Sequence, residues 1–327
     1  MTSNFFGDSA SLFRIEYEET IAELILDGSD VTNISNYDER LLQKELILKE
    51  EKTFNTIVLG SSRTMLIGSE IFDDQSFFNY SISHAKIQDF IAIYAMCKAQ
   101  KKLPKKIIIG IDPWTFNDND QSERWRSIGE YYYSFVKKDI KREIIVAKYL
   151  QLFSVSYFQN SVFNIPKVVS GKDRPRKAEH YRGLTNTKLQ DGSLRYSVLM
   201  SSASMSEIDT RVDNYLNRTN RGIEDFEVVS RELWNDFDKL VNDIINNGIE
   251  LEFFLAPYHP RVYQIVQQDF KNVLYSELRV RQLSDLMNIK VYGSFDPDKL
   301  NINSTDFLDA VHLRYPAIVK LLANSSR

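Results

Sequence analysis

Four short runs of apolar, mostly β-branched residues constrain the fold most: "TIVLG" at 56 to 60, "KIIIGIDP" at 106 to 113, "IELEFFLAP" at 249 to 257 and "IKVYG" at 289 to 293. Strands apolar on both faces must be covered on both, which suits the inner strands of a parallel sheet. Helical patterns lie between them, at 85 to 101, 224 to 246 and 261 to 286. In "NNGIELEFFLAP" a helix is expected to end near Asn247, Gly248 to take the left-handed cap, and a strand to follow. This alternation predicts a doubly wound, mainly parallel α/β sheet. Ligands in such sheets bind beyond the carboxyl ends of the strands, so the polar residues that end each strand become the candidates.

At 327 residues, with 43% hydrophobic and 12% aromatic side chains, the chain is long enough for one elaborated domain or two. Residues 1 to 50 read as a mostly helical extension, since "ETIAELIL" and "DERLLQKELILKE" carry apolar residues near helical spacing. Residues 51 to 327 then form the α/β domain. Residues 114 to 221, with "EYYYSF", "GKDRPRKAEHYRG" and "DGSLRY", read as an insertion in it, because the alternation resumes afterwards. An insertion near strand ends is a natural place for substrate specificity, whereas "GKDRPRK" itself reads as a solvated loop.

Several classes of function fall away. The net charge of -4 comes from mixed charges without a long basic block, so no electrostatic footprint for nucleic acid is present. The single cysteine, Cys97, excludes an internal disulfide framework and lies in an apolar run, where packing is its expected role. No segment reaches the roughly 20 apolar residues of a membrane span. The first residues lack the pattern of a signal peptide. Taken as given, the chain reads as soluble and cytoplasmic; if an N-terminal anchor precedes it, it belongs to the cell envelope. Neither a metal-ligand spacing such as H-E-x-x-H nor a glycine-rich nucleotide loop occurs, so no metal or cofactor is expected.

The strand at 56 to 60 runs into Ser61, Ser62 and Arg63. Gly60 permits a tight turn, and a serine there is a helix cap, an anion ligand or a nucleophile whose oxyanion is held by unpaired N–H groups. Near the other terminus, "STDFLDAVHLRYP" sets Asp309 three residues before His312. On a turn or first helical segment, that spacing brings carboxylate and imidazole to one side, where the acid orients the ring for proton abstraction.

Gly60-Ser61-Ser62 together with Asp309-Ala310-Val311-His312 resembles the SGNH/GDSL hydrolase superfamily. The likeness is greatest to bacterial SGNH-like proteins of cell-surface polysaccharide and teichoic-acid modification, the DltD type among them. It spans roughly residues 54 to 113 and 249 to 325. The resemblance implies a flavodoxin-like three-layer α/β/α fold, with Ser62 as nucleophile, His312 as general base and Asp309 as its orienter; Ser61 stands where the family has aspartate. The middle blocks depart from the family. For the second, "FNYSIS" offers Asn79, Ser81 or Ser83. In the third, "GIDPWTF" puts Asp112 where an Asn amide would donate, and an ionised carboxylate repels an oxyanion. Losing one such donor costs about 10²–10³ in rate. Arg63, Asn79 or a backbone N–H are the substitutes, or Asp112 binds a sugar hydroxyl or caps the turn before Pro113.

The resemblance implies a serine esterase or O-acyltransferase acting on acyl groups, acetyl included, of a cell-surface glycan or related carbohydrate, working beside a membrane-bound biosynthetic partner. The rival expectation is a noncatalytic carbohydrate-binding or assembly protein that keeps the fold. Trp114, Tyr131, Tyr132, Tyr133 and Tyr181 are then either sugar-stacking residues or core. His84, His180 and His259 are expected in packing or turn roles, because one positioned base suffices.

Overall fold

All four apolar runs become strands, and a fifth joins them. In the computed structural model, residues 15–72, 76–120, 122–138, 174–178, 183–217 and 224–323 are described. Helix α1 (Ile15–Leu26), the two-residue strand β1 (Val31–Thr32) and α2 (Glu39–Lys49) lead into β2 (Thr56–Leu59), β3 (Phe77–Asn79), α3 (Ile87–Ala99) and β4 (Lys106–Gly110). The region read as an insertion holds α4 (Gly129–Val136), the short strands β5 (Arg176–Lys177), β6 (Thr187–Lys188) and β7 (Leu194–Arg195), and helices α5 (Val198–Ser201) and α6 (Met205–Leu216). Then follow α7 (Arg231–Asn246), β8 (Glu250–Leu255), α8 (Pro260–Asp269), α9 (Lys271–Met287), β9 (Lys290–Gly293) and α10 (Tyr315–Ala323).

The main sheet has five parallel strands in the order β3-β2-β4-β8-β9. The chain therefore starts in the interior, steps outward to β3, and returns across β2 to β4, so winding reverses between β2 and β4. A crevice opens at such a switch point, beyond the carboxyl ends of the strands. Leu59 pairs with Ile109, and Gly110 with Phe254, so the residues following β2, β4 and β8 emerge at one edge.

Successive strand residues point to opposite faces, and here both faces are buried. Ile57, Leu59, Ile107, Ile109, Phe253 and Leu255 pack with Leu46 of α2, Phe90 of α3, Phe237 of α7 and Val280 of α9. Val58, Ile108 and Phe254 belong to a smaller cluster with Leu66, Phe307 and Ile318 of α10. Helices thus cover both faces. Fully burying one such side chain contributes about 1.5–3 kcal/mol, which explains why runs this short are so apolar.

The structure departs from expectation in four places. β3 is three residues long and gave no periodicity signal. The helix expected at 224 to 246 begins only at Arg231, because Glu224 is buried and accepts from the Tyr258 hydroxyl at 3.3 Å, while Ser230 N–H donates to Phe116 O at 3.0 Å. The helix expected at 261 to 286 is two helices, broken at Phe270, whose ψ is 59°. Finally, the N-terminal extension carries a strand: β1 pairs antiparallel with both β5 and β6, so extension and insertion share a four-stranded sheet, β5-β1-β6-β7. As expected, Gly248 takes a left-handed φ of 72° after α7.

Candidate active site

Gly60 ends β2 in a turn that tolerates no side chain: an added Cβ would lie 2.2 Å from Thr64 Oγ1. Thr64 closes the turn, its N–H and hydroxyl both donating to Ser61 O at 3.1 and 2.9 Å. Ser62 is left partly exposed on the outside of this turn.

The Asp309-to-His312 segment is a second turn, and its geometry explains the D-x-x-H spacing. Asp309 Oδ1 accepts the N–H groups of Val311 and His312, both at 2.9 Å, while its Oδ2 lies 2.8 Å from His312 Nδ1. One carboxylate therefore fixes the backbone and the ring together. Leu308 N–H closes the loop onto His312 O at 2.8 Å, and Arg211 Nη1 donates to Leu308 O at 2.9 Å from α6. The other ring nitrogen, His312 Nε2, lies 2.8 Å from Ser62 Oγ. Because ionised Asp309 can only accept, Nδ1 carries the proton and Nε2 is free to accept from the serine hydroxyl. Burial raises the Asp309 pKa, but the His312 hydrogen bond and charge and the two backbone N–H groups outweigh it and bring it to about 2. The structure therefore brings together Ser62, His312 and Asp309, residues 250 positions apart at the extremes of the serine–histidine contact.

Of the residues expected to contact an oxyanion or substrate, four turn inward. Arg63 is buried, and its Nη2 donates to Ala256 O and Pro257 O at 2.6 and 2.7 Å and its Nε to Val311 O at 3.1 Å. It joins the ends of β2 and β8 to the histidine turn. Asn79 uses both amide protons on Thr64 O and Ile67 O, at 2.9 and 2.8 Å, and its Oδ1 accepts from Ser81 N–H. Ser81 Oγ lies 2.8 Å from Thr64 Oγ1, and since the Thr64 proton goes to Ser61 O, Ser81 is the donor in that pair. None of these donors remains for a ligand. Asp112 is buried against Arg63 Nη1 at 3.4 Å, its N–H bonded to Thr115 Oγ1 at 3.0 Å, so it holds a buried ion pair and a turn. Burial raises its pKa, with Arg63 and the Ser61 hydroxyl opposing. The Ser62 N–H, by contrast, donates to no acceptor among the described residues.

The loop after β3 runs beside the serine turn, Ile82 N–H donating to Gly60 O at 3.0 Å. Helix α2 of the extension holds this loop. Glu39 accepts from Ser83 N–H and, at 2.9 Å, from Ser83 Oγ, and Arg40 Nη2 donates to His84 O at 3.2 Å. Ser83, the remaining candidate from "FNYSIS", is thus bonded to Glu39. Sequence reasoning missed Glu39 and Tyr196, which stands edge-on to His312 with 6.5 Å between ring centroids. The only signal for Tyr196 was the Asp191-Gly192 pair, which marks a hairpin turn leading to it.

His84 takes a left-handed φ of 54° and bonds Asp120 at 2.8 Å. His259 is the buried N-cap of α8, its pKa lowered by burial and Arg261. His180 and Tyr181 lie outside the described residues. Trp114 and Tyr132 are buried, Tyr131 and Tyr133 pack against the main core, and Cys97 is buried with its pKa raised to about 12 by that burial. Among the described residues, no group of three or more His, Cys, Asp or Glu is placed to hold a metal, and no helix is long and apolar enough to cross a membrane. Compared with known proteins, the chain matches no protein-family model and no curated protein.

Proposed function

We propose that the protein is an SGNH-like serine esterase or O-acyltransferase that removes or transfers an acyl group, acetyl included, on a cell-surface glycan or related carbohydrate, with a membrane-bound biosynthetic protein as partner. The observation that carries this reading is the 2.8 Å contact of Ser62 Oγ with His312 Nε2, with Asp309 on the opposite ring nitrogen. Ser62 Oγ attacks the acyl carbonyl carbon while Nε2 takes the hydroxyl proton. As the intermediate collapses, the carbon–oxygen bond to the alcohol breaks and the imidazolium returns the proton to the leaving oxygen. Water or a sugar hydroxyl, deprotonated by the same nitrogen, then releases the acyl group and restores Ser62. The Ser62 N–H, which has no acceptor among the described residues, is available as a donor to the developing oxyanion.

One observation favours a second reading, a carbohydrate-binding or assembly protein without chemistry: Asn79 and Ser81 have their donors occupied inside the fold. Fluorophosphonate labelling separates the two. An adduct on Ser62 in the parent chain, lost in Ser62→Ala and in His312→Ala, supports the enzyme. A parent chain that stays unlabelled and hydrolyses no ester panel favours the binding protein.

A further inference from the structure

In the reaction just described, His312 Nε2 must return its proton to the leaving oxygen, so the alcohol half of the ester lies on the histidine side of Ser62. Tyr196 is on that side. Leu194 N–H donates to Met65 O at 2.7 Å, which ties the end of β7 to the serine turn, and two residues later the Tyr196 ring meets the His312 imidazole edge-on. The ring rests against the smaller core cluster. Tyr196 is half-buried and its hydroxyl has no hydrogen-bond partner among the described residues, so it is open to water or a ligand. Burial first, then the Asp309 and Glu39 carboxylates, raise its pKa far above the ordinary value, so the phenol is a neutral donor at any working pH.

Glu39 supplies the complementary acceptor. Its carboxylate takes the Ser83 N–H and hydroxyl and the Tyr37 hydroxyl, and since the residue is half-buried and a carboxylate has about four acceptor sites, one site is left. Lys188 is buried and makes no hydrogen bond among the described residues; burial lowers its pKa, and the Glu39 and Asp191 carboxylates oppose that only in part. Tyr196 against His312 thus offers an unpartnered donor, and Glu39, bonded to the loop beside the serine turn, an acceptor with one site left.

We propose that Tyr196 and Glu39 form a subsite for a polyhydroxylated alcohol half of the ester, the Tyr196 phenol donating to one sugar oxygen and Glu39 accepting from a neighbouring hydroxyl. The inference rests on the serine-hydrolase reading and deepens it. A hydrocarbon alcohol would leave both groups unpaired, and sites built to bond hydroxyls discriminate strongly against analogues that lack them.

The test compares kcat/KM for a panel of O-acetylated sugars with that for p-nitrophenyl acetate, in the parent chain, Tyr196→Phe and Glu39→Gln, alongside fluorophosphonate labelling of Ser62. The ratio of sugar ester to p-nitrophenyl ester is expected to fall about 10- to 100-fold in each variant. A ratio within twofold of the parent in Tyr196→Phe overturns the subsite, as does a labelled parent that hydrolyses p-nitrophenyl acetate but no acetylated sugar. A parent in which Ser62 is never labelled and neither ester is turned over removes the serine-hydrolase reading itself, and the subsite with it.

Discussion

Arg63 and Asp112 form a buried ion pair, Nη1 to Oδ1 at 3.4 Å, with their side chains 1% and 4% exposed. The pair spans the ends of β2 and β4, where the sheet reverses its winding, and answers the difficulty that an acidic residue poses at this edge: the charge of Asp112 faces a guanidinium. Arg63 also serves three carbonyls, those of Ala256, Pro257 and Val311, and an ammonium cannot reproduce that planar fork.

Arg63→Lys is therefore expected to lower the unfolding free energy by roughly 3 kcal/mol, since each buried acceptor left unpaired costs about 1–3 kcal/mol. Urea unfolding measures this. A variant within 0.5 kcal/mol of the parent, about the spread of ordinary surface substitutions, would mean that the clamp carries little stability. Because Val311 precedes His312, turnover should fall as well.

Asp309 fixes the tautomer of His312, and that gives the next expectation. In Asp309→Asn the amide NH₂ turned toward Nδ1 makes that nitrogen an acceptor and moves the ring proton to Nε2, where it confronts the Ser62 hydroxyl. Turnover of an activated ester should drop by about 10³–10⁴ with KM little changed. A loss below tenfold would show that the carboxylate is not the orienter.

The same carboxylate gives a pH dependence with a definite sign. Its pKa of about 2 in the folded chain lies below the ordinary value of 3.8. A group depressed in this way stabilises the fold above its unfolded pKa, and the contribution is lost as pH falls through the folded one. The window is therefore pH 4 to 2, and the contribution above it is on the order of 2 kcal/mol. Urea unfolding of the parent and of Asp309→Asn at pH 6 and pH 2 should show the parent's advantage shrinking by that amount. An advantage that is the same at both would disprove the linkage.

The strands were legible because a run such as Ile107-Ile108-Ile109 has few homes outside a doubly covered sheet, and Ser62 and His312 because they sit where strand ends gather. β3 was not legible: three residues carry no period, and Phe77–Asn79 becomes a strand only through its pairing with β2. Nor could the sequence say that Asn79, Ser81 and Arg63 point inward. Their directions depend on carbonyls and hydroxyls of residues up to 248 positions away, as with Arg63 and Val311. Glu39 escaped notice for the same reason, since its partner Ser83 is 44 positions distant in a different element.

Contacts cross the boundary expected near residue 50, and Arg40 makes the strongest of those between buried charges. Its Nε and Nη2 grip the two oxygens of Asp89 at 2.9 Å each, with the side chains 3% and 0% exposed, and Nη2 also reaches His84 O. The helix at the end of the extension thereby holds the loop that runs beside Ser62. Arg40→Met leaves Asp89 buried without its partner and is expected to cost about 3–5 kcal/mol, while replacing both groups by apolar ones in Arg40→Met/Asp89→Leu should recover at least half, because the cost lies in the uncompensated charge. Urea unfolding of the three variants, Asp89→Leu being the third, completes the cycle. If the double variant is as unstable as the sum of the singles, the pair is not coupled and the extension is held by its other contacts, among them Glu39 with Ser83, the pairing of β1, and Leu42, Leu46 and Ile47 against the sheet.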